Sequence, residues 1–164
     1  MRHRISLYTD GSAYPNPGTG GFAAIIRDGP HKKEVSGRIE HCTNNKAELW
    51  AVIQGLTNVV PDSHVTVFTD SGYVERAVND GHLSIWQTNG WRRIRTGQPV
   101  MNADLWQVLC DTIEQRRLTV QFRKLNAHKG HYFNERADFL ARKAAKEGAQ
   151  NRCYYLKNFS VLKQ

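Results

Sequence analysis

A chain of 164 residues can bury roughly 70% of the surface that its unfolded form exposes, so one domain holds a core without disulfides or a structural metal. Its 23 Lys and Arg against 15 Asp and Glu leave a formal charge of +8 and a pI of about 9.6, a balance that suits polyanions such as nucleic acid. No apolar run reaches the roughly 20 residues of a spanning helix, which excludes that form of membrane protein. Cys42, Cys110 and Cys153 lack the close pairing of a zinc site, and MRHRISLY has no leader-like apolar stretch, so a reducing, cytoplasmic setting is expected.

In chain order, residues 5–10, 21–27 and 33–39 read as strands separated by the turns PNPGTG and RDGPHK, a pattern that predicts an antiparallel meander. From 44 to 60 the period changes, with Leu49, Val52, Ile53, Leu56 and Val60 at helical spacing before Pro61 and Asp62 close the segment. VTVFTD then begins another strand, and strand, helix, strand implies a right-handed crossover and a parallel pair. A short stretch around YVERAV leads into a region rich in Arg and Trp, then a helix over 102–116 and a strand at LTVQFRKL. The last helix, NERADFLARKAAKEG, carries a stripe of small residues, Ala137, Leu140, Ala141, Ala144 and Gly148, that suits close packing on a sheet. The whole predicts a mixed sheet covered by helices, in the α/β or α+β class.

Two of these strands end alike, in ISLYTD and VTVFTD. Alternation puts Asp10 on the face of Tyr8 and Ser6, and Asp70 on the face of Phe68 and Thr66. If the strands are neighbours, the two acids stand about 4.8 Å apart across the ladder, where like charges resist ionisation and a divalent cation resolves the conflict. A hard cation such as Mg²⁺ takes oxygen ligands, and two further acids border helix packing faces: Glu48, four residues before Val52, and Asp138, three before Ala141. Each acid alone also fits a bland role. The aspartates suit turns, Glu48 suits a capping box with Asn45, and Asp138 suits the dipole of a first helical turn. Four acids in four elements, two with identical strand phase and two beside helix packing faces, favour a metal site.

The segments TDGSAYPNPGTGG, TNNKAEL, TDSGYV and AHKGHYFNERADFLA resemble, in order and spacing, the four signature segments of type 1 ribonucleases H of the bacterial type. The resemblance spans roughly residues 5–147 and is specific because four segments agree together. It implies a ribonuclease H-like fold, a five-stranded mixed sheet whose first three strands are antiparallel and whose last two are parallel. Asp10, Glu48, Asp70 and Asp138 are then the acidic quartet, holding two Mg²⁺ ions, with Mn²⁺ as an alternative. The implied reaction is endonucleolytic hydrolysis of the RNA strand of an RNA/DNA hybrid by two-metal catalysis, leaving 5′-phosphate and 3′-hydroxyl ends. His128 matches the family's loop histidine, which assists proton transfer or product departure; His131 in the same block reads as structural.

The resemblance further implies that Asn16, Asn44 and Asn45 contact the minor groove, where the 2′-hydroxyl distinguishes RNA, and that Thr43 and Asn102 hold a phosphate of the DNA strand. Read without it, these are turn and cap residues. His41 stands where many members carry an arginine of the phosphate pocket, and Gly72 where some carry a glutamine that reaches the groove. SIWQTNGWRRIRTGQPV resembles the basic protrusion of bacterial members: Arg92, Arg93 and Arg95 are expected to face substrate, with Trp86 and Trp91 largely structural but close to it. Residues 1–148 are expected to form the catalytic domain, with the protrusion near 82–100, and 149–164 a tail. The protein is expected to act as a monomer on nucleic acid and away from membranes. A junction resolvase or integrase of the same fold, a noncatalytic hybrid-binding module and a small-molecule phosphatase are weaker alternatives, because the spacing, the complete quartet and the Arg-rich segment respectively argue against them.

Overall fold

The computed structural model describes residues 2–126 and 130–147. Strands β1 (Arg4–Ala13), β2 (Gly18–Asp28) and β3 (His31–Cys42) form the antiparallel meander, followed by α1 (Asn44–Thr57) and β4 (His64–Thr69). Then come α2 (Gly72–Asn79), α3 (His82–Thr88), α4 (Ala103–Gln115), β5 (Thr119–Lys124) and α5 (Tyr132–Lys146). The sheet runs β3-β2-β1-β4-β5, with β1/β4 and β4/β5 parallel. The expected five-stranded mixed sheet is therefore present, and the crossover through α1 carries the chain from β3 past β2 and β1, so that β4 pairs with β1. Among the described residues no helix is long and apolar enough to cross a membrane.

One sheet face buries Ile5, Leu7, Val65, Val67 and Phe122 beneath α1 and α4, whose Trp50, Leu105, Trp106 and Leu109 complete the main core. Helix α1 is buried from Leu49 through Leu56 without interruption, because it touches β1 and β2 on one side and α4 on another; a helix enclosed in this way needs no polar face. The opposite face carries a smaller cluster of Ala23, Ile25, Ala137 and Ala141 under α5. Two tethers fix α5 to β3. Arg136 donates to both carboxylate oxygens of Glu34 at 3.1 and 3.0 Å, and Arg38 Nη1 donates to the Ala145 carbonyl at 3.3 Å.

Several local expectations change. Helix α1 stops at Thr57, capped by Asn58, so Val60 is not part of its stripe and is 47% exposed. The N-cap is Thr43, whose Oγ1 accepts from Lys46 N–H, so Glu48 lies beyond a capping-box position and Asn45 is inside the helix. Helix α5 begins two residues earlier than expected, at Tyr132, which moves Asp138 out of the first turn and removes its dipole role. Helix α3 lies within the Arg- and Trp-rich region and buries none of its residues fully, which is why its apolar periodicity is faint. Gly148 and the 149–164 tail lie outside the described residues.

Candidate active site

Strands β1 and β4 pair in parallel with Tyr8 opposite Phe68, and their rings stack with centroids 4.9 Å apart. Two residues further along the same face stand Asp10 and Asp70. Asp70 occupies the joint between β4 and α2, held by a short relay: Thr69 Oγ1 accepts from Ser71 N–H at 3.0 Å and Ser71 Oγ accepts from Val74 N–H at 3.3 Å. The chain thus leaves the strand and starts a helix within two residues, and Asp70 is fixed at the turn.

The other acids arrive because two glycines let helices approach. A Cβ on Gly11 would lie 2.2 Å from the Ala47 carbonyl carbon and 2.4 Å from Glu48 N, so α1 rests directly on the β1 backbone and carries Glu48 to Asp10. A Cβ on Gly21 would lie 2.0 Å from the Ala141 carbonyl oxygen, and that contact seats α5 with Asp138 on the same end of the sheet. A glycine inside a strand marks such an approach, and this is the signal by which Gly11 and Gly21 could have been singled out from the sequence. Carboxylate oxygens of Asp10, Glu48 and Asp70 all fall within 4.8 Å of one another.

These acids are poorly compensated. Asp10 is 6% exposed; burial first, then the charges of Asp70 and Asp138, push its carboxyl up from 3.8 to about 8, against a smaller opposing hydrogen bond from the Gly11 backbone. Burial and the Asp10 and Asp70 charges likewise push Glu48 well up. Glu48 Oε2 is buried without a hydrogen-bond partner. An all-oxygen cluster with an orphaned buried carboxylate oxygen fits a hard divalent cation, which supplies the missing positive charge. Asp138 stands close enough to raise Asp10 but is shared: Arg142 Nε donates to its Oδ1 at 2.9 Å. Arg142 was not anticipated, although its i,i+4 spacing from Asp138 was readable.

The remaining residues flank this centre in two groups. Asn44 Oδ1 accepts from Ala13 N–H at 2.7 Å and Asn16 Oδ1 accepts from Asn44 N–H at 3.1 Å, stitching the end of β1 to the start of α1; Asn45 is half-buried beside them. His41 is exposed with φ 52°. Asn102, also left-handed at φ 58°, donates through Nδ2 to the Tyr73 hydroxyl at 3.0 Å. In the protrusion, Trp86 and Trp91 are half-buried against the core, as expected of anchors, and Trp86 meets Trp106 at 5.6 Å. Arg92, Arg93 and Arg95 are exposed; Arg92 Nη1 donates to the Gly97 carbonyl at 2.8 Å. His131 is exposed at the N-cap of α5 without a side-chain cap bond. His128 lies outside the described residues.

One buried and two half-buried acids converging beside the carboxyl ends of adjacent parallel strands, with only oxygen donors, are chemistry for a metal-dependent hydrolase. The RNase H family profile matches residues 2–146. Among curated relatives, a ribonuclease H of Thermus thermophilus is 41% identical over 152 residues, 93% of this chain and 90% of that protein. Ribonuclease H of Nitratidesulfovibrio vulgaris is 43% identical over 141 residues, 86% of this chain and 88% of that protein. Among solved structures, LC9-RNase H1, a type 1 enzyme with the type 2 active-site motif, shares the fold at TM-score 0.76 and 23% identity, over 88% of this chain and 73% of its own. LC11-RNase H1 in complex with an RNA/DNA hybrid gives TM-score 0.64 at 25% identity, over 86% of this chain and 96% of its own. The chain belongs to the ribonuclease H family, whose members are metal-dependent endoribonucleases.

Proposed function

We propose that this protein cuts the RNA strand of RNA/DNA hybrids internally, leaving 5′-phosphate and 3′-hydroxyl ends. The observation that carries the reading is the convergence of Asp10, Glu48 and Asp70 oxygens within 4.8 Å. The relative solved with an RNA/DNA hybrid supports the choice of substrate. Two Mg²⁺ ions, or Mn²⁺ in their place, held by Asp10, Glu48, Asp70 and Asp138, would supply activation of water and stabilisation of the departing 3′ oxygen.

The chain's own residues bind and orient the duplex around that centre. Asn16 and Asn44 both use Oδ1 inside the protein, which leaves each Nδ2 amide to donate to a 2′-hydroxyl in the minor groove. Asn45 adds a third polar group there. Thr43 and Asn102, with His41 when protonated, receive a phosphate of the DNA strand. Arg92, Arg93 and Arg95 track backbone beyond the cut, beside Trp86 and Trp91. His128 moves a proton to or from the departing group. Residues 1–148 act as the catalytic domain, with 82–100 as its substrate handle and 149–164 as a tail, in a cytoplasmic monomer.

The test is cleavage of four sequence-matched duplexes, with RNA and DNA in each combination of strands. Efficient cutting of the hybrid alone, in its RNA strand and with the stated ends, is expected. Equal cutting of the DNA duplex would overturn the reading.

A further inference from the structure

Beside the acids, at the first residue of α2, Gly72 has no side chain, and the guanidinium of Arg76 fills the space. A Cβ built on Gly72 would meet Arg76 Cζ, Nη1 and Nη2 all at 3.4 Å. Three equal distances mean that the guanidinium lies with its flat face toward Gly72, folded back along the helix by one turn. Arg76 itself belongs to the last turn of α2, where a cation complements the helix dipole, yet its guanidinium is turned back toward the N-terminal end.

Arg76 is exposed, and its side chain makes no hydrogen bond or ion pair with the described residues. It therefore stands, five unused donors in a planar fork, over Gly72, two residues after Asp70 in the chain. An unpaired guanidinium beside a centre that receives a polyanion is suited to the bidentate grip of a phosphate oxygen pair.

We infer that Arg76 is a substrate-binding residue that grips a backbone phosphate of the nucleic acid next to the cut site, and that Gly72 is the positional device that lets it lie there. The inference rests on the hybrid-cleavage reading above. Since the guanidinium already occupies the first turn, it needs only a phosphate to complete its bonds. A side chain longer than Ala at position 72 would displace it.

The experiment compares wild type with Arg76→Ala, Arg76→Lys, Gly72→Gln and the Gly72→Gln/Arg76→Ala double variant, each checked by thermal melt. Affinity for an RNA/DNA hybrid is measured in chelator, where nothing is cut, across a salt series. Arg76→Ala should weaken binding roughly tenfold at low salt and make the slope of log K against log salt shallower by about 0.9. Arg76→Lys should keep the slope and lose part of the affinity. Gly72→Gln should reproduce the shallower slope, and adding Arg76→Ala to it should change the slope no further.

An unchanged slope in Arg76→Ala would overturn the phosphate contact. A change confined to Mg²⁺ affinity of the free protein would make Arg76 a counter-charge to the acids and overturn it equally. A shallower slope in Arg76→Ala with an unaltered one in Gly72→Gln would overturn the role of Gly72. A wild type that binds DNA duplex and hybrid alike and cuts both would instead sink the underlying reading, an outcome distinct from all of these.

Discussion

Asp138 serves two partners at once: its Oδ1 accepts from Arg142 Nε at 2.9 Å, while its charge helps to raise the carboxyl of Asp10. Asp138 thus belongs to the acidic centre and to a surface ion pair, and Arg142 offsets one of the negative charges that would otherwise press on the cluster.

Removing that offset should be readable without turnover. Arg142→Ala is expected to bind Mg²⁺ more tightly in calorimetry, because Asp138 no longer divides its charge between a cation of the protein and the site. The pair is partly exposed, with side chains 59% and 33% accessible, so screening limits its stability contribution to under about 1 kcal/mol. Melting in chelator should fall only slightly. Unaltered Mg²⁺ affinity would show that Arg142 is a bystander.

Asp10 should make the metal-free protein less stable as pH rises. Its folded-state carboxyl is raised from 3.8 to about 8, so between those values the native state holds a proton that the unfolded chain has released. The stability from this group is fully present below 3.8 and is lost as pH climbs through about 8. Melting temperature in chelator should decline across that window. Asp10→Asn should flatten the decline and leave the apo-protein as stable as wild type or more so at neutral pH, while single-turnover cleavage drops by orders of magnitude. Near-normal cleavage would reduce Asp10 to a turn residue.

Gly11 predicts a coupled loss of stability and activity. The 2.2 Å approach that a Cβ would make to the Ala47 carbonyl carbon is to backbone, which cannot step aside as a flexible side chain can. Gly11→Ala should push α1 off β1, costing about 1–3 kcal/mol by denaturant melt, and it should weaken Mg²⁺ binding by drawing Glu48 away from Asp10. Gly29, where a Cβ would meet nothing within 4 Å, is the control: its Ala variant should lose stability through its φ of +56° without any change in metal affinity.

The protrusion should separate binding from chemistry. Replacing Arg92, Arg93 and Arg95 together by Ala should raise KM with kcat roughly preserved and flatten the salt slope by about 0.9 for each phosphate that an arginine no longer neutralises. Steady-state cleavage of one hybrid across a salt series checks both. An unchanged slope would show that these arginines do not touch substrate, and a collapse of kcat alone would place them at the chemistry.

The period of the chain by itself determined which residues share a face. Alternation placed Asp10 with Tyr8 and Asp70 with Phe68 by a rule that acts over a few residues, and the order β3, α1, β4 implied a parallel crossover; that β4 lies against β1 rather than β3, with Tyr8 opposite Phe68, was decided by the assembled sheet. Helical spacing likewise marked Ala137 and Ala141 as a packing face, and both are fully buried. Tertiary structure alone decided how near the elements come and who pairs with whom. The contacts of Gly11 with Ala47 and of Gly21 with Ala141 join residues distant in sequence, and it is those separations that turn four acids of suitable phase into one centre. Helix α3 escaped the pattern because it packs only in part, and the bounds of α1 and α5 shifted because caps are set by backbone geometry at single residues. The raised carboxyl of Asp10 belongs to the same class: burial and charges brought together from β4 and α5 produce it, and desolvation by a folded surround has no signature in a local string of residues.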